Sequence, residues 1–385
     1  MASPKERMRE RHYLAVGILF FGGALGYFLF YSDAFATVYD ATAQKIEQAE
    51  QALVDPVWPA RLDKDEYNRR ALALAHIRLA STTLDAVRAA STTSPPLLLR
   101  TESASTSVSV AGKRWPHPTV YPQGGAILPF KRIVAYYGNY YSKQMGVLGE
   151  YPPEVVLEKL RTEVASWTAA DPTTPVVPAI HYIAVVAQES AGKEGKYILR
   201  MPDDQIDQAL AMAKQLDGLV FLDVQVGQST LQSELPALEK YLAMPNVHLG
   251  IDPEFSMKFG DAPGTVIGTF SAADVNYAVS YLASLVKKHE LPPKVLVVHR
   301  FTMNMVTGTS LIRPMPEVQV VMDMDGWGTT AKKIGTYTNI VAPLPVQFTG
   351  LKLFYHADLR SPSTSMLTKE QVLGLTPAPI YIQYQ

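Results

Sequence analysis

The chain contains no cysteine. That excludes disulfides, thiolate metal sites, a cysteine nucleophile and a lipidated N-terminal cysteine. It does not set the compartment, because exported proteins also lack cysteine. Charge of one sign is missing as well: 35 basic residues face 36 acidic ones, for a net charge of −1. Such a balance offers no electrostatic reason to bind nucleic acid. A third absence is the glycine-rich phosphate turn, since no apolar run leads into a G-x-G-x-x-G or Walker-type loop.

One long apolar run is present. Tyr13 to Tyr31 carries no charge, and at about 1.5 Å per residue it is long enough to cross a hydrocarbon core of roughly 30 Å. Lys5, Arg7, Arg9 and Arg11 precede it; Asp33, Asp40, Glu47 and Glu50 follow, against Lys45 alone. The basic flank, 1–12, is expected to stay in the cytoplasm and the rest of the chain to lie outside it. The alternative is a cleaved and secreted form, with Ala34-Phe35-Ala36 as a small-x-small cleavage site. The run exceeds the usual signal core of about 7–15 residues, which favours a retained membrane anchor over 13–31.

Residues 35–90 have apolar positions at helical spacing, interrupted by Pro56 and Pro59, and read as a helical stalk or hairpin. Residues 91–128 turn rich in Ser, Thr, Pro and Gly and read as a linker. From 129 to 385 the pattern repeats. Apolar, β-branched or aromatic runs occur at 131–138, 176–187, 218–227, 247–255, 294–301, 318–328, 351–358 and 378–385. Between them lie helical faces: Val156, Leu160, Val164 and Trp167; Ile206, Ala209, Leu210, Ala213 and Leu216; and a capping-box start at Ser271 and Asp274 before Val275, Val279, Leu282 and Val286. Near-continuous apolar strands alternating with helices imply a parallel sheet covered by helices. Eight such units predict an α/β fold, a (β/α)8 TIM barrel. An open doubly wound sheet is the structural alternative.

In such a barrel the chemistry sits at the C-terminal strand ends. Polar residues gather there: Tyr137 and Asn139 on the first strand, Gln188 on the second, Asp223 and Gln225 on the third, Asp252 and Glu254 on the fourth. His299 and Arg300 end the fifth, Asp323, Asp325 and Trp327 the sixth, Tyr355, His356 and Asp358 the seventh, and Gln383 the eighth. Side chains at i and i+2 share a strand face, so Asp223 pairs with Gln225, Asp252 with Glu254, and Asp323 with Asp325. A charge inside an apolar strand is costly unless paired or solvated. Bland roles are also open. Asp252 before Pro253 suits a turn or cap, His299 a satisfied core histidine, Asp323 a structural pair with Arg300 or Lys352, and Asp358 an ordinary loop charge. Tyr136, Tyr137, Tyr140, Tyr141, Phe255, Trp327, Tyr355 and Tyr384 crowd the same rim, either as packing or as platforms for sugar faces.

Carboxylates around an aromatic mouth suit glycoside hydrolysis, in which one carboxyl is protonated and another ionised. Glu254 is assigned as the acid, with Asp223 or Asp325 as its partner. The remaining strand-end residues, Asp252, Gln225, Asp323, His299, Arg300, Trp327, Tyr137, Asn139, Gln188 and Tyr355, are expected to bind substrate. Glu254 at the end of the fourth strand of an exported barrel resembles the broad (β/α)8 glycoside hydrolase superfamily. Its chitinase-like branch carries a D-x-x-D-x-D-x-E motif there. Only Ile251-Asp252-Pro253-Glu254 matches the end of that motif; Val247, His248 and Gly250 stand where its earlier part would be. The resemblance implies a polysaccharide or glycan as partner, and no cofactor. The second expectation is a barrel that binds glycan or protein without catalysis. The third is a metal-dependent hydrolase using His299, Asp323, Asp325 and His356. It ranks last because His181 stands alone on the second strand, without the His-x-His pair common in barrel metallohydrolases. No metal is therefore assigned.

Overall fold

The computed structural model describes residues 61–77 and 119–385. The basic flank, the apolar run 13–31, most of the expected stalk and most of the linker lie outside the described residues. Among the described residues no helix is long and apolar enough to cross a membrane.

Eight strands are parallel to their neighbours: β1 Arg132–Gly138, β2 Val176–Ala187, β3 Leu219–Val224, β4 Val247–Ile251, β5 Lys294–His299, β6 Val318–Met324, β7 Phe348–Leu353 and β8 Tyr381–Tyr384. Each pairs with the next in sequence, and β8 pairs back onto β1, so the sheet closes. This is the expected TIM barrel. The open-sheet alternative is excluded by the β1–β8 ladder, which joins Ile133 to Tyr381 and Tyr136 to Tyr384. A short strand, Ile198–Arg200, adds antiparallel to the end of β2.

The helical faces fall where their spacing places them. Val156, Leu160 and Trp167 are buried on the helix Pro153–Ala170, and Ile206, Ala209 and Ala213 on Asp203–Lys214. Ser271 and Asp274 cap each other at the start of Ala272–His289, which buries Val275, Val279, Leu282 and Val286. These apolar faces cover the outward side chains of the strands.

Strand ends differ from the expected runs. β7 spans 348–353 rather than 351–358, so Tyr355, His356 and Asp358 lie in the loop beyond it. Phe348 to Leu351 pair with Val321 to Met324, although Gly350 looks like a turn residue. Gly350 is needed there: a Cβ on it would sit 2.5 Å from Asp323 Oδ1. β4 stops at Ile251, and Glu254 belongs to a single 3-10 turn, Pro253–Phe255. The i, i+2 rule therefore does not carry Glu254 onto the face of Asp252.

The lower interior is apolar, with Ile133, Ala135, Phe221, Val297, Val321 and Phe348 packed together. The helix Lys64–Leu74 closes this end. Its Tyr67 packs edge-on against Phe130 and Phe348, with centroids 6.2 and 6.3 Å apart. The Leu74 carbonyl accepts from the Ala378 amide at 2.7 Å. Asp63 starts the helix by accepting from the Glu66 amide. Gln319, inside β6, accepts from the amides of Ile127 and Leu128 and anchors the approach to β1. Truncating a buried aromatic ring costs about 3–5 kcal/mol. Tyr67→Ala is therefore expected to lower unfolding free energy by about 3 kcal/mol in denaturant titration; a change under about 0.5 kcal/mol would show that this helix does not brace the barrel.

Candidate functional site

Above the apolar layer the interior turns polar, in two levels. The lower level is fully buried and centres on Asp223. Its Oδ1 lies 3.3 Å from His181 Nε2 and 3.3 Å from His299 Nε2. Its Oδ2 accepts from the Tyr137 hydroxyl at 2.9 Å. His181 Nδ1 meets Tyr381 Oη at 2.5 Å and Gln383 Nε2 at 2.9 Å. His299 Nδ1 faces Asp323 Oδ2 at 3.2 Å and Asp325 Oδ2 at 3.4 Å. Strand alternation brings these groups together, because β2, β3, β5, β6 and β8 each turn an inward residue to the same height. β4 contributes Gly250, whose missing side chain makes room; a Cβ there would lie 2.4 Å from both Asp223 Oδ1 and His181 Nε2.

The upper level opens to a cleft of about 510 Å3. Its polar lining includes Tyr137, Gln225, Asp252, Glu254, Asp325 and Lys352, and its apolar walls include Met145, Phe255, Phe301, Trp327 and Phe354. Lys352 Nζ sits 3.6 Å from the centre of the Tyr137 ring. Asp252 accepts from the Glu254 amide at 3.0 Å and faces Gln225 Nε2 at 3.4 Å. It is therefore a turn cap and a cleft wall at once. Lys333 donates to the Gly326 and Lys352 carbonyls and pairs with Asp358, fixing the ends of β6 and β7. Asp358, read above as a loop charge, is fully buried in that role and also accepts from the Gly328 amide.

Electrostatics separate the acids. Burial raises Glu254 to about 7, and the Asp325 charge adds to the rise. Burial raises Asp325 too, against the opposing charges of His299 and Lys352. Asp252 stands well above the carboxylate range, again mainly through burial, with Asp325, Glu254 and Asp223 adding repulsion. Asp223 behaves oppositely. Burial alone would raise it, but His299 and His181 outweigh burial and hold it below its usual range. Burial works against a proton on His299, yet the surrounding aspartates lift it well above an ordinary histidine. His181 is lowered to about 4 by burial.

The expected site residues thus divide. Glu254, Asp325, Asp252, Gln225, Trp327 and Tyr137 line the cleft. Asp223, His299 and Asp323 lie in the layer beneath it, so Asp223 is not placed to touch a substrate in the cleft. Four others point elsewhere. Arg300 donates to the Thr302 and Met303 carbonyls. Asn139 donates to the Ile183 carbonyl, and Gln188 to that of Ile198. Tyr355 bonds Tyr136 and Glu163, and stacks on Tyr384 outside the barrel. Tyr140 likewise stacks on Tyr182. His356 is exposed and pairs with Glu150, far from the role given it in the metal reading. His181 is not alone: the fold joins it to Asp223. Sequence reasoning missed Lys352, Phe301, Phe354, His181 and Tyr381 as members of the site. Inward alternation would have found His181, two residues after the buried Ala179, and Lys352, two after Gly350.

No protein-family model matches the chain, and no curated protein matches it. Among solved structures, a ruminal GH26 endo-beta-1,4-mannanase overlaps 66% of this chain and 59% of its own, at 10% identity and a TM-score of 0.33. The HPPK-DHPS of Plasmodium falciparum overlaps 66% of this chain and 44% of its own, at 9% identity and a TM-score of 0.31. A sugar phosphate isomerase/epimerase from Parabacteroides distasonis overlaps 70% and 90%, at 8% identity and a TM-score of 0.31. The chain spans under two thirds of the first two. The barrel itself is read from its strand pairing, and these overlaps add nothing to that.

Overpacking a closed interior costs about 1–3 kcal/mol or more. Gly250→Ala is expected to destabilise the barrel by at least that much in thermal or denaturant melting, because neither Asp223 nor His181 has space to retreat. An unchanged melting temperature would contradict the geometry described.

Proposed function

We propose that the barrel is a glycoside hydrolase acting on a cell-surface or extracellular polysaccharide. The observation that supports this reading best is the pairing of Glu254 with Asp325 in one aromatic-walled cleft. Glycoside hydrolysis needs a carboxyl still protonated near neutrality and a second that is ionised. Glu254, raised to about 7, fits the acid that protonates the leaving oxygen. Asp325, whose rise His299 and Lys352 oppose, fits the ionised partner. Trp327, half exposed at the rim, offers a ring to a sugar face. Asp223 is assigned a positioning role, through Tyr137, in place of the catalytic partnership first considered.

One observation favours a second reading, a glycan-binding barrel without turnover. All three carboxyls of the cleft are raised, and protonated carboxyls bind sugar hydroxyls without catalysing anything. In both readings the barrel works outside the cytoplasm, with the run 13–31 as its membrane anchor. Export predicts that the full chain fractionates with membranes and that protease added to intact spheroplasts reaches the barrel; protection from that protease would overturn it.

Turnover decides between the two readings. A general acid contributes about 10²–10⁴-fold, so Glu254→Gln is expected to lower kcat by that factor on a cell-wall or exopolysaccharide substrate while KM changes little. Wild-type protein that binds such a glycan but never cleaves it would sink the hydrolase reading and leave the binding one.

The pH dependence has a defined sign. The acid works only while protonated, so kcat/KM is expected to fall as pH rises through about 7. In Glu254→Gln that limb should vanish from whatever rate remains. A profile flat between pH 6 and 8 in the wild type would exclude Glu254 as the acid.

A further inference from the structure

The hydrolase reading uses the lower polar level only to position Tyr137 and to oppose the rise at Asp325, and neither role accounts for its paired histidines. His181, Asp223 and His299 each offer one ligand atom, and the three atoms lie within 4.8 Å of one another. Both imidazoles present Nε2 to the same oxygen, Asp223 Oδ1, at 3.3 Å. Two ligands of one tetrahedral ion, each about 2.0–2.1 Å from it, are themselves about 3.3 Å apart. Two of the three spacings are thus that of an edge of a coordination tetrahedron, and the third lies within 4.8 Å.

Each of the three also has its far side held by another group. His181 Nδ1 is held by the Tyr381 hydroxyl at 2.5 Å. His299 Nδ1 faces Asp323 Oδ2 at 3.2 Å. Asp223 Oδ2 accepts a hydrogen bond from the Tyr137 hydroxyl at 2.9 Å. A histidine that turns one nitrogen to a metal and the other to a carboxylate or hydroxyl is the usual support for a first-row ion, since the outer partner fixes the tautomer and the ring plane.

A separate observation points to the same spot. Buried polar atoms are nearly always hydrogen-bonded, yet His299 Nε2, 3.3 Å from Asp223 Oδ1, makes no well-aligned hydrogen bond. His299 and Asp323 are wholly inaccessible to solvent. A divalent ion between the two Nε2 atoms and Asp223 would give that nitrogen a partner.

We infer that His181, Asp223 and His299 form a binding site for one divalent first-row ion of the zinc class, inside the barrel beneath the cleft. Two imidazoles and a carboxylate suit zinc, cobalt or nickel better than calcium or magnesium, which prefer oxygen alone. The ion ties β2, β3 and β5 together below the cleft floor. Gly250 keeps its place clear, because a methyl group there would press on two of the three ligand atoms. The site stands or falls independently of the glycosidase reading, since its test measures bound metal rather than turnover.

The test uses the full-length protein, stripped with a chelator and then incubated with Zn²⁺ or Co²⁺ and passed through gel filtration. One equivalent of metal per chain is expected. The Co²⁺ form is expected to show the visible bands of a low-symmetry site, and X-ray absorption of the Zn²⁺ form two imidazole nitrogens. His299→Gln and Asp223→Asn are expected to lose the metal while still melting cooperatively. Wild type that retains no metal overturns the inference, as do folded variants that retain a full equivalent. Should the variants fail to fold, the wild-type absorption spectrum decides: two imidazoles support the site, and none refutes it.

Discussion

Asp223 carries its carboxylate inside a closed barrel, where no water reaches it, and the neighbouring strands supply what solvent would. An isolated ion in such a place would cost far more than a domain's whole stability margin. Tyr137 from β1, His181 from β2 and His299 from β5 surround it instead. The arrangement constrains much else. His181 must face Asp223, and a Cβ on β4 would strike both, so β4 must carry glycine at position 250. His299 in turn draws Asp323 and Asp325 toward its other nitrogen, and Asp325 then lines the cleft and adds to the rise at Glu254. The chemistry of the mouth is thus set partly by a charge one layer down.

Apolar and polar layers divide the labour along the barrel. The lower end is packed with aliphatic and aromatic side chains and closed by the helix around Tyr67. It supplies the burial that holds eight strands in register. Stability drawn from that end allows the upper levels to hold groups that packing alone would never select. A buried polar cluster is costly when partly satisfied, and the His299–Asp323 pair, in contact at 3.2 Å without a well-aligned hydrogen bond, marks where this one draws on that margin.

Much of the architecture was legible because it rests on local patterning. The outward residues of β3, Val220, Leu222 and Val224, and the helix face of Val275, Val279, Leu282 and Val286 follow from periods of two and near 3.6. The capping box at Ser271 is equally local. The apolar run of β7 reads as starting only after Gly350, because glycine interrupts the strand that Phe348 and Thr349 begin; Gly350 is there to clear Asp323, a reason that lies on another strand. Glu254 lies at the mouth beyond β4, but the turn capped by Asp252 carries it there, and strand alternation does not.

Read alone, the chain determined that a barrel forms and which strand ends hold acids, since both depend on neighbours within a few residues. It could not determine depth. Asp223 and Asp325 look alike in sequence, each inward on its strand, yet one lies against two histidines beneath the floor and the other lines the cleft. Nor could it show that His181 has company, because Asp223 and His299 lie 42 and 118 residues further along the chain. Strand stagger and closure decide which inward residues share a level, and that depends on how all eight strands meet rather than on any one of them.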